Sequence, residues 1–205
     1  MYEPIICEFI EDGHRYIDNG ITPPPVTSVI ADAGLSPDYP PGEHAARGTK
    51  VHELTVVYDA GRLDVDRFRE MDATKPEFWR IAGYLDSYIG AIRTHEVHWV
   101  YVEQPFVSRV YGYAGTVDRY GLIDGELAVL DFKTSTSLPP RTTGLQTAAY
   151  VMLIAGPNVR RDAVRRFALH LKQDGSPGRF VEYTNPADYD TFVGLAHLYH
   201  WKRNK

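Results

Sequence analysis

Asp124-Gly125 is a dipeptide of the kind that closes a two-residue β-hairpin turn. The segments on either side carry the residues of greatest chemical interest. If Ile123 and Glu126 form the first pair beyond the turn, counting outward brings Asp118 opposite Asp131. Directly opposed side chains share one face of a sheet, with Cβ atoms ~4.5–5.5 Å apart. Lys133 lies two residues beyond Asp131 and projects from that face as well, opposite Thr116. Ala128, Leu130 and Phe132 project from the other face and belong in a core. Two carboxylates facing one another repel. A shared proton, the Lys133 ammonium alone, or a bound divalent cation would each compensate. In the last case the acids hold the ion, and the ammonium orients a nucleophile or steadies charge on a phosphate. The plainer alternative is a surface hairpin with an ordinary salt bridge between Lys133 and an aspartate. A one-residue bulge would undo the pairing.

Three further positions could join this group. Gln146 and Tyr150 are four apart in a segment that reads as helix, so they share a face that can look back at the hairpin. Both can hydrogen-bond a phosphate or a base, and both equally suit a partly buried helix face. His52 stands in an earlier helical segment. It is followed by Glu53, but Val56 occupies the position where a zincin helix carries its second histidine. Glu103, in the strand before the hairpin, is an added ligand or an acid behind the ligands. His197 and His200 form an i, i+3 pair on the last helix, with nothing else to mark them as ligands.

The elements that must position these groups follow from periodicity and turn chemistry. Asn19-Gly20 predicts a tight turn, and Thr27 or Ser28 a cap for a short helix. Residues 32–48, rich in Pro and Gly, read as loop. Residues 49–60 read as helix ending near Gly61, and 76–94 as a second helix with apolar positions at helical spacing. Residues 97–110, 113–123 and 126–134 read as strands. A helix then starts at Thr142 or Thr143 and stops at Gly156-Pro157. Strands over 163–172 and 178–183 precede a closing helix opened by Asn185-Pro186. This order predicts an α/β domain with a mixed central β-sheet flanked by helices, with residues 1–45 as an N-terminal hairpin and loop extension and 46–205 as the core.

Composition narrows the function classes. With 205 residues, 43% hydrophobic and 24% charged, the chain suits one globular domain rather than a disordered or coiled-coil protein. Its one cysteine, Cys7, excludes a disulfide framework, a cysteine-ligated zinc site and a four-cysteine iron–sulfur cluster within the chain. A net charge of -5 argues against holding nucleic acid by bulk electrostatics, but a bound divalent ion would bring its own positive charge. The run of apolar residues is nowhere near the roughly 18 that would mark a membrane span. Acidic residues outnumber Arg15 among the first twenty, the wrong sign for a leader. The expectation is a cytoplasmic protein with no membrane partner.

The segments Gly48-Thr49-Lys50-Val51-His52, Gly115-Thr116-Val117-Asp118, Leu130-Asp131-Phe132-Lys133-Thr134-Ser135 and Gln146-Thr147-Ala148-Ala149-Tyr150, in this order, resemble the PD-(D/E)xK nuclease superfamily. The likeness is to its RecB-like exonuclease branch, which includes Cas4-type, phage recombination and mitochondrial genome-maintenance exonucleases. Pro25-Val26-Thr27-Ser28-Val29 is similar to a segment of the mitochondrial type. The resemblance covers about residues 15–155 and implies a restriction-endonuclease-like core. It implies that Asp118, Asp131 and the Phe132 backbone carbonyl are metal ligands, with His52 ligating or lying near the metal. Lys133 is then the catalytic lysine, and Gln146 and Tyr150 position it or the DNA. The lone cysteine departs from the branch members that carry an iron–sulfur cluster, so no cluster is expected.

The expected activity is a Mg²⁺- or Mn²⁺-dependent deoxyribonuclease, an exonuclease acting on single strands or duplex ends, bacterial or phage-encoded, alongside replication or recombination proteins. Arg47, Lys50, Arg109, Arg119, Arg141 and Lys172 are candidate strand-guiding cations, and Tyr111 and Tyr113 candidate base-stacking rings. The rivals are a non-catalytic nucleic-acid-binding or assembly module on the same fold, and a hydrolase of smaller phosphoesters.

Overall fold

A computed structural model describes residues 2–35, 42–160 and 162–204. The central sheet has six strands in the order β1 (Ile5–Ile6), β4 (Val97–Ser108), β5 (Tyr113–Ile123), β6 (Glu126–Lys133), β7 (Arg165–His170), β8 (Arg179–Glu182). Every neighbouring pair is antiparallel except β6 and β7, which are parallel and joined by helix α5 (Pro140–Ala155). A separate hairpin pairs β2 (Glu8–Ile10) with β3 (Arg15–Ile17). The sheet is therefore mixed, and helices cover both of its faces.

One face is packed by α1 (Val26–Asp32), α5 and α6 (Ala187–Arg203), whose Val29, Val151 and Phe192 share a core with Val117 and Val129 of the sheet. The other face is packed by α2 (Glu43–Asp59), α3 (Val65–Ala73) and α4 (Ala82–Ile92), with Val51, Leu85 and Tyr88 against Ala128, Leu130 and Phe132. Alternate residues of β6 thus enter two different cores. That is the burial of a central strand, and it accounts for the hydrophobic run in its sequence. Among the described residues no helix is long and apolar enough to cross a membrane.

Several boundaries differ from those the sequence predicts. Helix α2 begins at Glu43, inside the expected 32–48 loop, of which residues 36–41 lie outside the described residues. The expected 76–94 helix is a 3-10 turn at Glu77–Trp79 followed by α4, because Asp72 Oδ2 accepts the Ile81 and Ala82 N–H groups and starts a new helix there. Helix α3 has no counterpart in the sequence reading. Neither Thr27 nor Ser28 caps α1, which starts at Val26 without a side-chain cap. The Asn19-Gly20 turn is present, with both residues at positive φ inside the Asp18–Ile21 bridge.

Candidate metal and phosphate site

The hairpin register expected from Asp124-Gly125 is the one observed, running from Ile123 opposite Glu126 to Arg119 opposite Leu130. At the next step the two strands part. The Asp118 side chain itself accepts the Phe132 N–H through Oδ2 at 2.6 Å. β6 meanwhile stays paired with β7 as far as Lys133. Asp118 and Asp131 are therefore not simple ladder partners, since a carboxylate takes the place of a backbone acceptor. N–H and C=O of one strand residue point to the same side. The Phe132 carbonyl thus follows its amide toward β5, as a backbone ligand requires.

A cavity of about 480 Å³ opens where the strands part. His52, Glu103, Asp118, Asp131, Lys133, Gln146 and Tyr150 all line it. His52 arrives from α2, with Nδ1 3.1 Å from Glu103 Oε1 and 3.6 Å from Asp118 Oδ1. Glu103 reaches the same point from β4, which carries a register shift between Trp99 and Tyr101. Its backbone has φ +46°, a strained conformation for a non-glycine residue inside a strand. One ligand atom from each of His52, Glu103 and Asp118 can be chosen so that all three lie within 4.8 Å of one another. Asp131 stands outside that trio, and its Oδ2 lies 2.7 Å from Lys133 Nζ. Lys133 also donates to Gln146 Oε1 at 2.8 Å, and Gln146 Nε2 donates to the Tyr150 hydroxyl at 2.8 Å.

The electrostatics fit a cation site. Burial pushes the Asp118 carboxyl above its usual range against the pull of His52, and nearby Glu103 adds to the rise. Burial raises Asp131 to about 6, with Asp118 contributing and Lys133 opposing. Burial works against the His52 imidazolium, but Asp118, Glu103 and Asp131 together carry its pKa to about 9. Lys133 is likewise held charged by Asp131 and Asp118 against the cost of burial. Asp131 Oδ2 is buried, and the Lys133 ammonium is the cation that faces it. Two carboxylates and one imidazole, with a third carboxylate and a strand carbonyl at hand, suit Mn²⁺ or Mg²⁺.

Arg119, a candidate strand-guiding cation on sequence grounds, is fully buried and cannot meet DNA. Its Nε donates to Asp59 Oδ2, Nη1 to Glu103 Oε1 and the Asp118 carbonyl, and Nη2 to Thr55 Oγ1. It is the brace behind the acids. Arg47 is also corrected: it is buried over the Phe78 ring at 4.6 Å from the centroid. Tyr113 is a core residue whose hydroxyl donates to the Ala149 carbonyl, so it stacks no base. Arg109 is exposed but engaged with Asp18. Lys50, exposed over Trp79, and Arg141, exposed in the first turn of α5, remain open to solvent. Lys172 Nζ lies 3.2 Å from His170 Nδ1. Of the His197/His200 pair, His200 Nε2 lies 2.9 Å from the Gly112 carbonyl oxygen and the His197 ring packs against Tyr111.

Sequence reasoning missed the N-terminal hairpin's part in the site. Phe9, His14 and Tyr16 line the cavity, and the Tyr16 hydroxyl accepts the Thr116 N–H at 2.9 Å. No spacing signal links residues 100 positions apart. Neither a scan against models of known families nor a search of curated proteins gives a match to the chain.

Proposed function

We propose that the chain is a divalent-metal-dependent deoxyribonuclease of the PD-(D/E)xK type, similar to the RecB-like exonucleases and working on DNA ends in replication, recombination or repair. The observation that carries this reading is the convergence of His52, Glu103 and Asp118 in one cavity with Asp131, Lys133 and the Gln146–Tyr150 pair. All but Glu103 come from the four segments that carry the resemblance. Asp118, Glu103 and His52 would hold Mg²⁺ or Mn²⁺, with Asp131 and the Phe132 carbonyl completing the set. Bound there, the ion supplies neutralisation of phosphate charge and acidification of water, effects of the size that phosphodiester hydrolysis demands. An imidazole among the ligands favours Mn²⁺.

The chain's own residues do the rest. Phe132 N–H and the Arg119 brace fix Asp118 and Glu103 against their mutual repulsion. Lys133 has three N–H donors. Asp131 and Gln146 face two of them, and the remaining one is available to an attacking oxygen or a phosphate oxygen. Gln146, itself held by Tyr150, keeps the ammonium aimed.

The test is cleavage of end-labelled DNA oligonucleotides with Mn²⁺ or Mg²⁺. Wild-type protein is expected to shorten linear strands and spare a circle. Lys133→Ala is expected to slow the reaction by about a hundredfold or more. Full activity in that variant rejects the reading. DNA binding without cleavage by the wild type would favour the non-catalytic module instead.

A further inference from the structure

The main cavity is walled by more than its acids. One wall is the β2–β3 hairpin, where Phe9 and Tyr16 are cross-strand partners and so present their rings on one face. The His14 ring meets the Phe9 ring edge-on with centroids 4.9 Å apart, and the Phe9 and Tyr16 centroids are 5.0 Å apart. Tyr16 is buried and anchors the hairpin to β5, its hydroxyl accepting the Thr116 N–H. Phe9 is half-buried and His14 exposed, so aromatic surface is left facing the cavity. A second wall is the start of α2, where Ala45, Gly48 and Thr49 share one helix face. Gly48 stands inside that helix, where glycine is less favourable than alanine. Packing does not require it: a Cβ there would meet only Thr134 Oγ1, at 3.5 Å, an ordinary contact. Its missing side chain keeps the cavity open.

Rings that face an open space beside Lys133 and the acids match a nucleotide, whose base stacks while its phosphate meets the cations. Stacking is tolerant of sequence, because every base has a π-face. A volume of about 480 Å³ is that of a pocket for one small ligand, and a base pair would bring a second backbone with it. We propose that Phe9 and His14 form a stacking wall for one unpaired nucleobase at the end of a DNA strand, and that the hairpin thereby selects single strands over paired ends. That the strand is also cut rests on the nuclease reading, but the stacking does not.

The test follows the fluorescence of 2-aminopurine, which stacking quenches, placed at the 5′ end of one short single strand and the 3′ end of another. Ca²⁺ replaces the activating ion so that the strands stay intact. Wild-type protein is expected to quench one of the two ends. Phe9→Leu keeps an apolar side chain in the hairpin, and His14→Asn suits the positive φ of that position. Each is expected to weaken binding about tenfold and to relieve the quenching. Gly48→Leu, a better helix former, is expected to block binding without lowering the melting temperature. Quenching at neither end, affinity unchanged in Phe9→Leu and His14→Asn, normal binding by Gly48→Leu, or equal affinity for a strand whose end is paired in a G·C-clamped duplex overturns the stacking wall. Quenching that these variants relieve, in a protein that never cleaves DNA with Mn²⁺, would leave the wall standing and sink the nuclease. Cleavage by a protein that quenches neither end would do the reverse.

Discussion

Asp118 holds its position because each of its oxygens has a separate task. Oδ2 is occupied by the Phe132 N–H, and Oδ1 faces His52. Replacing it with Asn keeps the shape but puts an amide donor where a charged acceptor is needed. Asp118→Asn is expected to abolish saturable Mn²⁺ binding in a calorimetric titration, whereas Lys133→Ala retains it. Loss of binding in both would mean that Lys133 supports the site's structure rather than the reaction. Arg119 illustrates a different economy of charge. Its guanidinium is fully buried and meets Asp59, Glu103 and Thr55. Removing it strands a largely buried carboxylate. Arg119→Met is therefore expected to lower unfolding free energy by roughly 3–5 kcal/mol in urea titrations.

At the scale of elements, helix α2 presents His52, Thr55 and Asp59 along one face at helical spacing. The first reaches the cavity, and the other two grip Arg119 beneath it. The helix thus couples ligand placement to the core under it. The β4–β5 pair is equally specialised. Its register shift lies between Trp99 and Tyr101, and Gly121 lies directly against the His98 carbonyl. A Cβ there would collide with backbone, which cannot give way as a flexible side chain does. Gly121→Ala is expected to destabilise the fold by about 1–3 kcal/mol. Because β4 also carries Glu103, the substitution should weaken Mn²⁺ binding as well, whereas an ordinary surface change would alter neither.

For the whole molecule, the site is a place where like charges are gathered at a cost to stability. A cation that binds only the folded chain repays that cost by mass action, about 2.7 kcal/mol at a hundredfold excess over its Kd. For a domain of this size, that corresponds to a rise in Tm of roughly 5–10 °C. Mn²⁺ is expected to produce such a rise in a thermal melt, EDTA to reverse it, and Asp118→Asn to eliminate it. An unchanged melting temperature in the wild type at saturating Mn²⁺ would contradict the proposed ligand set.

The sequence alone determined the α/β order, the mixed sheet and the hairpin register, because these rest on local rules: alternation, turn dipeptides and helical spacing. It also brought Asp118, Asp131 and Lys133 to one cavity, although the ladder ends at Arg119 opposite Leu130 and the direct Asp118–Asp131 pairing expected from the turn does not form. The parting of β5 and β6, which turns Asp118 into an acceptor for Phe132, was not legible there, because it depends on β7 holding β6 from the other side. Nor was the promotion of Glu103 from an uncertain acid to a member of the cluster, which needed a shifted strand and a positive φ. Arg119 reads in sequence as a cation beside the site, and only the packing of α2 over the sheet made it a buried brace. Tyr16 joined the cavity through contact with Thr116. Such contacts between distant residues are decided by how layers pack, and no single segment encodes them.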